Sequence, residues 1–277
     1  MCCWAASASL QGSASLLSGA VSTEPAAVAL LVQVLGEAAC NACSAQTLHV
    51  PQQVSTIVLA LGKLGATNRT HLASLSRAAR KGKKDKLSTS TASGSGKAYK
   101  DGGLGSYGWV DLDNLTSGFA RHELQWRSPK LVRAIANAAA NLLLSSSEQQ
   151  QSHRSTALLP PRSIANVLTS VAKMASTCKQ LQLASPLVVA TCQALLSPDL
   201  TSKECAQNDN YSSDDPIPLH PLLLNFNLRD CANAAWGLGV LSGGLNEGSM
   251  EYAGVQGCVA SLAQRGADCL DHQVLHK

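Results

Sequence analysis

Three segments of this chain repeat one helix face. They are VSTIVLALGKLG from Val54, IANVLTSVAKMA from Ile164 and CANAAWGLGVLS from Cys231, and each sets apolar or small residues at i, i+3, i+4, i+7 and i+10. That spacing belongs to one side of a helix turning every 3.6 residues, and a strand cannot use it. Each has a start signal: Pro51, the Pro160-Pro161 pair with Ser163, and Asn227. We term these the A helices. Four more apolar-periodic stretches, Pro25 to Ala39, Pro129 to Leu144, Ser185 to Leu196 and Gly248 to Arg265, supply B helices, in the order B, A, B, A, B, A, B.

Helices of two kinds in alternation suggest hairpins that cannot bury their apolar faces alone and lean on their neighbours. Composition agrees. Ala and Leu far outnumber the 17 Val and 4 Ile, and Ala and Leu lose little freedom in a helix. The expected fold is an all-α solenoid of stacked helical hairpins with two disordered insertions. Residues 1–23, free of acids and rich in Ser and Ala but without the Lys and Arg usual in a targeting segment, are read as a targeting or a disordered segment. The first repeats are expected over 24–66, an insertion over 67–118, and further repeats over 119–277 with a loop at 197–221.

The charge is local. Arg77 to Asp101 holds eight basic and two acidic residues, so the rest of a chain of net +4 sums to −2. Such a body does not grip duplex DNA by its phosphates. The run RAARKGKKDK from Arg77 is read as a solvated insertion, with an RNA tether or a nuclear-import patch as alternatives. The longest apolar stretch, Ala26 to Leu35, contains Gln33 and is too short for a membrane span, so no membrane partner is expected. Ten scattered cysteines show no disulfide framework. Cys40 and Cys43 have metal-pair spacing but no second pair. GSGKAYKDGG lacks the order of a phosphate loop, and His122-Glu123 lacks a second histidine. No enzyme chemistry, metal or cofactor is expected.

The A segments resemble the octotricopeptide repeat of algal organelle proteins, a helical hairpin of about 38 residues. Its first helix reads roughly L-A-N-T-L-W-A-L-A-K-L-G. Ile164-Ala165-Asn166-Val167-Leu168 with Ala172-Lys173-Met174 carries the likeness; Cys231-Ala232-Asn233-Ala234-Ala235-Trp236 matches the front half and Leu59 to Gly65 the back half. Thr56 stands where Asn is usual, and Leu59 and Thr169 replace Trp. The resemblance implies binding of single-stranded organellar RNA in transcript maturation, stability or translation, in the chloroplast or alternatively the mitochondrion, alongside other proteins of an RNA-processing complex. The alternative is an armadillo-like protein–protein scaffold.

If the apolar stripe is buried, the next stripe round each A helix faces a ligand. It carries Thr56, Leu59, Ala60 and Lys63, then Asn166, Thr169, Ser170 and Lys173, then Asn233, Trp236, Gly237 and Val240. The expected RNA-binding residues are Lys63, Asn166, Thr169, Ser170, Lys173, Asn233 and Trp236. Amides and hydroxyls suit base edges, lysines suit phosphates, and the indole suits stacking. A purely structural role for the asparagines is a hydrogen-bond ladder between repeats, and for Trp236 it is packing.

Overall fold

The computed structural model describes residues 25–45, 47–48, 50–66, 68–81, 103–121, 127–152, 159–196 and 221–275; segment 1–23 and most of loop 197–221 lie outside them. The described residues form helices and no strand. In chain order these are α1 (Pro25–Ser44), α2 (Pro51–Lys63), α3 (Arg69–Lys81), α4 (Trp109–Ala120), α5 (Pro129–Ser152), α6 (Pro161–Cys178), α7 (Ser185–Leu196), the single turn α8 (Pro221–Leu224), α9 (Leu228–Ser242) and α10 (Met250–Leu275). Two 3₁₀ turns, Leu104–Ser106 and Leu181–Ala184, precede α4 and α7. The A segments are α2, α6 and α9.

The ends of these helices follow from sequence. Pro51 and Pro161 occupy first turns, where a missing N–H costs nothing. Asn227 caps α9 by accepting from the Asp230 N–H at 2.9 Å, and Asn68 caps α3 by accepting from the Thr70 N–H at 2.9 Å. The α2 helix closes on Gly65 at φ 72°, with the Ala66 N–H donating to the Leu61 carbonyl at 2.9 Å. The same closure ends α6 with a lysine: Lys179 takes φ 54° and the Gln180 N–H donates to the Ala175 carbonyl at 3.1 Å.

The chain forms two compact units, Met1–Ala138 and Ala139–Lys277, and the boundary falls inside α5. In the first unit, α2 packs chiefly on α4 and α1 on α3, so alternate helices pair. In the second, α6 packs on α9 and α7 on α10, while α9 also packs on α10. In the second unit the A helix α6 therefore lies on the A helix α9, and the B helix α7 on the B helix α10. The α2 core is Val54, Ile57, Val58 and Leu61, and that of α6 is Ile164, Val167, Leu168 and Val171, all under 5% exposed. These are the first four predicted stripe positions of each helix, buried at about 1.5–3 kcal/mol per large side chain, whereas Leu64, the fifth on α2, is half-buried.

Two expectations are corrected. The 67–118 insertion is helical at both ends, in α3 and α4. Its glycines have the composition of a loop, yet Gly103 holds φ 125° where the backbone meets the Arg80 carbonyl, a place with no room for a Cβ. Arg77, Arg80 and Lys81 close the last turns of α3, where cations suit the helix dipole; the remainder of the basic run lies outside the described residues. The second correction concerns α1. Ala26–Ser44 spans 19 residues at mean hydropathy 1.6, long and apolar enough to cross a membrane by those criteria. Counting an unbroken apolar run misses it, because Gln33 and Glu37 are too few to lower the average. Here α1 packs on α3, with Gly36 set against the His71 ring.

Candidate nucleic-acid interface

The α4 helix is a fourth A helix. Leu112, Asn114, Leu115 and Phe119 occupy the places of Ile164, Asn166, Val167 and Val171 in α6 and of Cys231, Asn233, Ala234 and Leu238 in α9. The backbone shares the correspondence. The first helical bonds run Val54 to Val50, Leu112 to Gly108, Ile164 to Pro160 and Cys231 to Asn227, at 3.1, 2.9, 3.1 and 2.9 Å. One turn upstream, the Tyr107 N–H donates to the Leu104 carbonyl and the Phe226 N–H to the Leu223 carbonyl, both at 3.0 Å. The side chains of Leu104, Tyr107, Leu223 and Phe226 are all buried. Sequence reasoning misses α4 because Gly102 to Gly108 have the look of a loop; the signal that could have found it is the Leu112, Leu115, Phe119 spacing with Asn114.

Glycine sets the approach of paired A helices. A Cβ on Gly118 would meet the Val58 carbonyl carbon at 2.6 Å, and one on Gly237 would meet that of Leu168 at 2.9 Å. Val58 and Leu168 are corresponding residues, as are Gly118 and Gly237. Both pairs thus cross at the same point.

With the seams fixed, the outward line of each A helix can be compared. Lys63, Arg121 and Lys173 stand at one corresponding place on α2, α4 and α6, and all three are exposed. Arg162 and Arg229 correspond near the starts of α6 and α9, again exposed. Asn114, Asn166 and Asn233, all half-buried, correspond on α4, α6 and α9, and on α6 the asparagine lies between Arg162 and Lys173 along the helix. The repeat motif in the sequence singles out none of Arg121, Arg162, Arg229 and Asn114.

Of the expected RNA-binding residues, the structure joins two, Thr169 and Asn233, at the α6/α9 seam. The Thr169 hydroxyl donates to the Ala165 carbonyl at 2.9 Å and, across the seam, to the Asn233 carbonyl at 3.0 Å. Asn166 lies one turn before Thr169. The Thr169 proton is thereby committed to packing, whereas Asn233 takes part through its backbone oxygen, which leaves the side-chain amide outside that bond. Ser170 is 7% exposed, at the place held by Gly118 and Gly237, so it belongs to the packed side and not to the outward line. Thr56, at 8% exposed, is likewise withdrawn. Trp236 is 48% exposed, more open than a packing residue needs to be.

The described cysteines are free thiols. Burial, with Cys40 nearby, pushes Cys43 up to about 11, and burial, with Cys269 nearby, pushes Cys231 up to about 11. Thiols held protonated in this way behave as small apolar fillers and not as nucleophiles. Among the described residues no cluster of three or more His, Cys, Asp or Glu is placed to hold a metal. Comparison of the chain with protein-family models, with curated proteins and with solved structures finds no match.

Proposed function

We propose that the chain is an α-solenoid that binds single-stranded RNA along the outward line of its A helices, covering a short stretch of an organellar transcript without cutting it. The observation that carries this reading is the recurrence of an exposed cation at one place on three A helices, Lys63, Arg121 and Lys173, beside half-buried amides on α4, α6 and α9. A cation at the corresponding place of a helix suits a phosphate, and an amide suits a base edge. Trp236 offers a stacking face. Affinity then comes from phosphates and selectivity from the amides.

Filter binding to single-stranded RNA pools at rising salt tests this. Selection of a short sequence is expected, with Lys63→Gln and Lys173→Gln each making the salt slope shallower by about 0.7. Replacing Asn166 and Asn233 together by Ala relaxes selectivity while helicity is kept. Retention without selection, unchanged by these substitutions, sinks the reading. One observation favours the protein-scaffold alternative: Leu30 and Val34 of α1 are 63% and 52% exposed, an apolar surface of a kind that protein partners cover.

A further inference from the structure

We infer that Cys192 and Cys258 form a reversible disulfide site that pins α7 to α10, made by exchange with a low-molecular-weight disulfide; the inference is independent of the RNA-binding reading above. Both cysteines are buried, at 8% and 0% exposed, on the seam where α7 packs against α10. The Cys258 thiol donates to the Cys192 carbonyl at 3.9 Å and lies within hydrogen-bonding reach of the Cys192 sulfur. One turn earlier on α10, a Cβ on Gly254 would stand 3.7 Å from the Cys192 Cβ. Cβ atoms joined through a disulfide stand about 3.8 Å apart, so the two backbones already approach as closely as such a bond needs.

Two other pairs of neighbouring cysteines differ in their chemistry. Cys40 and Cys43 share α1, where a bond between them would tie a helix only to itself. Cys231 of α9 and Cys269 of α10 are also neighbours, but the Cys269 thiol donates to the Phe226 carbonyl at 3.6 Å, and burial pushes Cys231 up to about 11. Cys192 moves the other way. When it ionises, the Cys258 S–H turns to its sulfur and holds it below the ordinary 9.0, and the same bond raises Cys258. Cys192 is therefore the attacking thiol and Cys258 the resolving one. Half-buried Gly254 has no side chain to cover the Cys192 sulfur, from which a Cβ there would lie 4.0 Å, so an approach to that sulfur stays open.

The Cys192 thiolate attacks one sulfur of the incoming disulfide, breaks its S–S bond and releases one thiolate. Cys258 then gives up its proton, its sulfur attacks that of Cys192, and the second thiolate leaves. Two protein thiols are oxidised, and the small disulfide is reduced to two thiols, which carry away the two protons.

The experiment treats the reduced full chain with oxidised glutathione, blocks the remaining thiols with iodoacetamide, and maps linked peptides by mass spectrometry. A link between Cys192 and Cys258 is expected to form about tenfold faster than any between Cys231 and Cys269. The thiolate fractions of Cys192 and Cys231 differ by about a hundredfold, and the weaker nucleophilicity of the more acidic thiol offsets about tenfold of that. Tm rises by about 10 °C on oxidation and falls back when dithiothreitol reduces the bond. Cys258→Ser stops the reaction at the mixed disulfide, with glutathione held on Cys192 and no rise in Tm. The mapping uses the unaltered chain, so it decides the matter even where the serine variant fails to fold. Absence of the Cys192–Cys258 link, its formation no faster than a Cys231–Cys269 link, or a Tm that the link leaves unchanged overturns the inference.

Discussion

A methyl group added at Gly118 would lie 2.6 Å from both the carbonyl carbon and oxygen of Val58, and 2.7 Å from its Cγ1. The same addition at Gly237 would lie 2.9 Å from the Leu168 carbonyl carbon and 3.0 Å from the Thr169 nitrogen. The α2/α4 seam is thus tighter than the α6/α9 seam at the same crossing point, and Gly62 adds to the closeness, since its own Cβ would meet the Gly118 oxygen at 2.7 Å. Polar bonds across the two seams differ as well. Ser55, fully buried, donates to Asp111 Oδ1 at 3.2 Å in the first, and Thr169 donates to a backbone carbonyl in the second. One helix register is therefore compatible with two sets of side-chain chemistry, provided that a small residue stands where the backbones cross.

The sharpest break of this comparison is Gly118→Ala. Overpacking against backbone costs about 3 kcal/mol at the upper end of the usual range, and about 1 kcal/mol of better helix propensity offsets only part of it. Gly237→Ala, with a few tenths of an ångström more room, loses less, about 1 kcal/mol net. Urea unfolding followed by circular dichroism measures both, and equal losses would show that the tightness of the two seams carries no energetic weight. The polar bonds come next. Ser55→Ala removes a bond to a carboxylate and costs about 1.5 kcal/mol, while Thr169→Val removes one to a carbonyl and costs about 1 kcal/mol. A reversed order in the same assay would show that the Ser55 bond is loosened by solvent around half-buried Asp111.

The smallest effect concerns pH, at a place where the units carry different rings. Tyr107 and Phe226 correspond, and both are buried. Burial pushes the Tyr107 phenol above its ordinary 10.0, with Asp111 and Cys43 adding in the same direction. Its folded pKa is raised, so its share of stability is fully present below the unfolded value of about 10 and is lost as pH rises beyond it. Tyr107→Phe, which copies the other unit, is expected to flatten the fall of Tm between about pH 10 and 11. An unchanged slope would mean that the phenol reaches solvent.

How legible the fold is in the sequence can be judged from α6 and α4. In α6, Pro161 sets the start, and the spacing of Ile164, Val167, Leu168 and Val171 is enough to declare the buried face. In α4 the same face is written as Leu112, Leu115 and Phe119, but the glycines ahead of it carry the composition of a loop. Glycine is used there because the chain runs against α3 at Arg80, a contact between residues distant in sequence that local composition does not report. The outward line is half legible for the same reason. Lys63, Lys173, Asn166 and Asn233 follow from helical spacing, whereas the withdrawal of Ser170 and the commitment of Thr169 depend on where α9 crosses α6.

Sequence alone determined the helical state, the buried stripe and the places where α2, α6 and α9 begin, since spacing, proline and capping act within a few residues. Tertiary structure decided that A helices pack on A helices through Gly118 and Gly237, that α4 joins them, and that Thr56, Thr169 and Ser170 are drawn toward the seams. Those outcomes depend on how closely two backbones can approach, and that distance is a property of pairs of helices and not of any single segment.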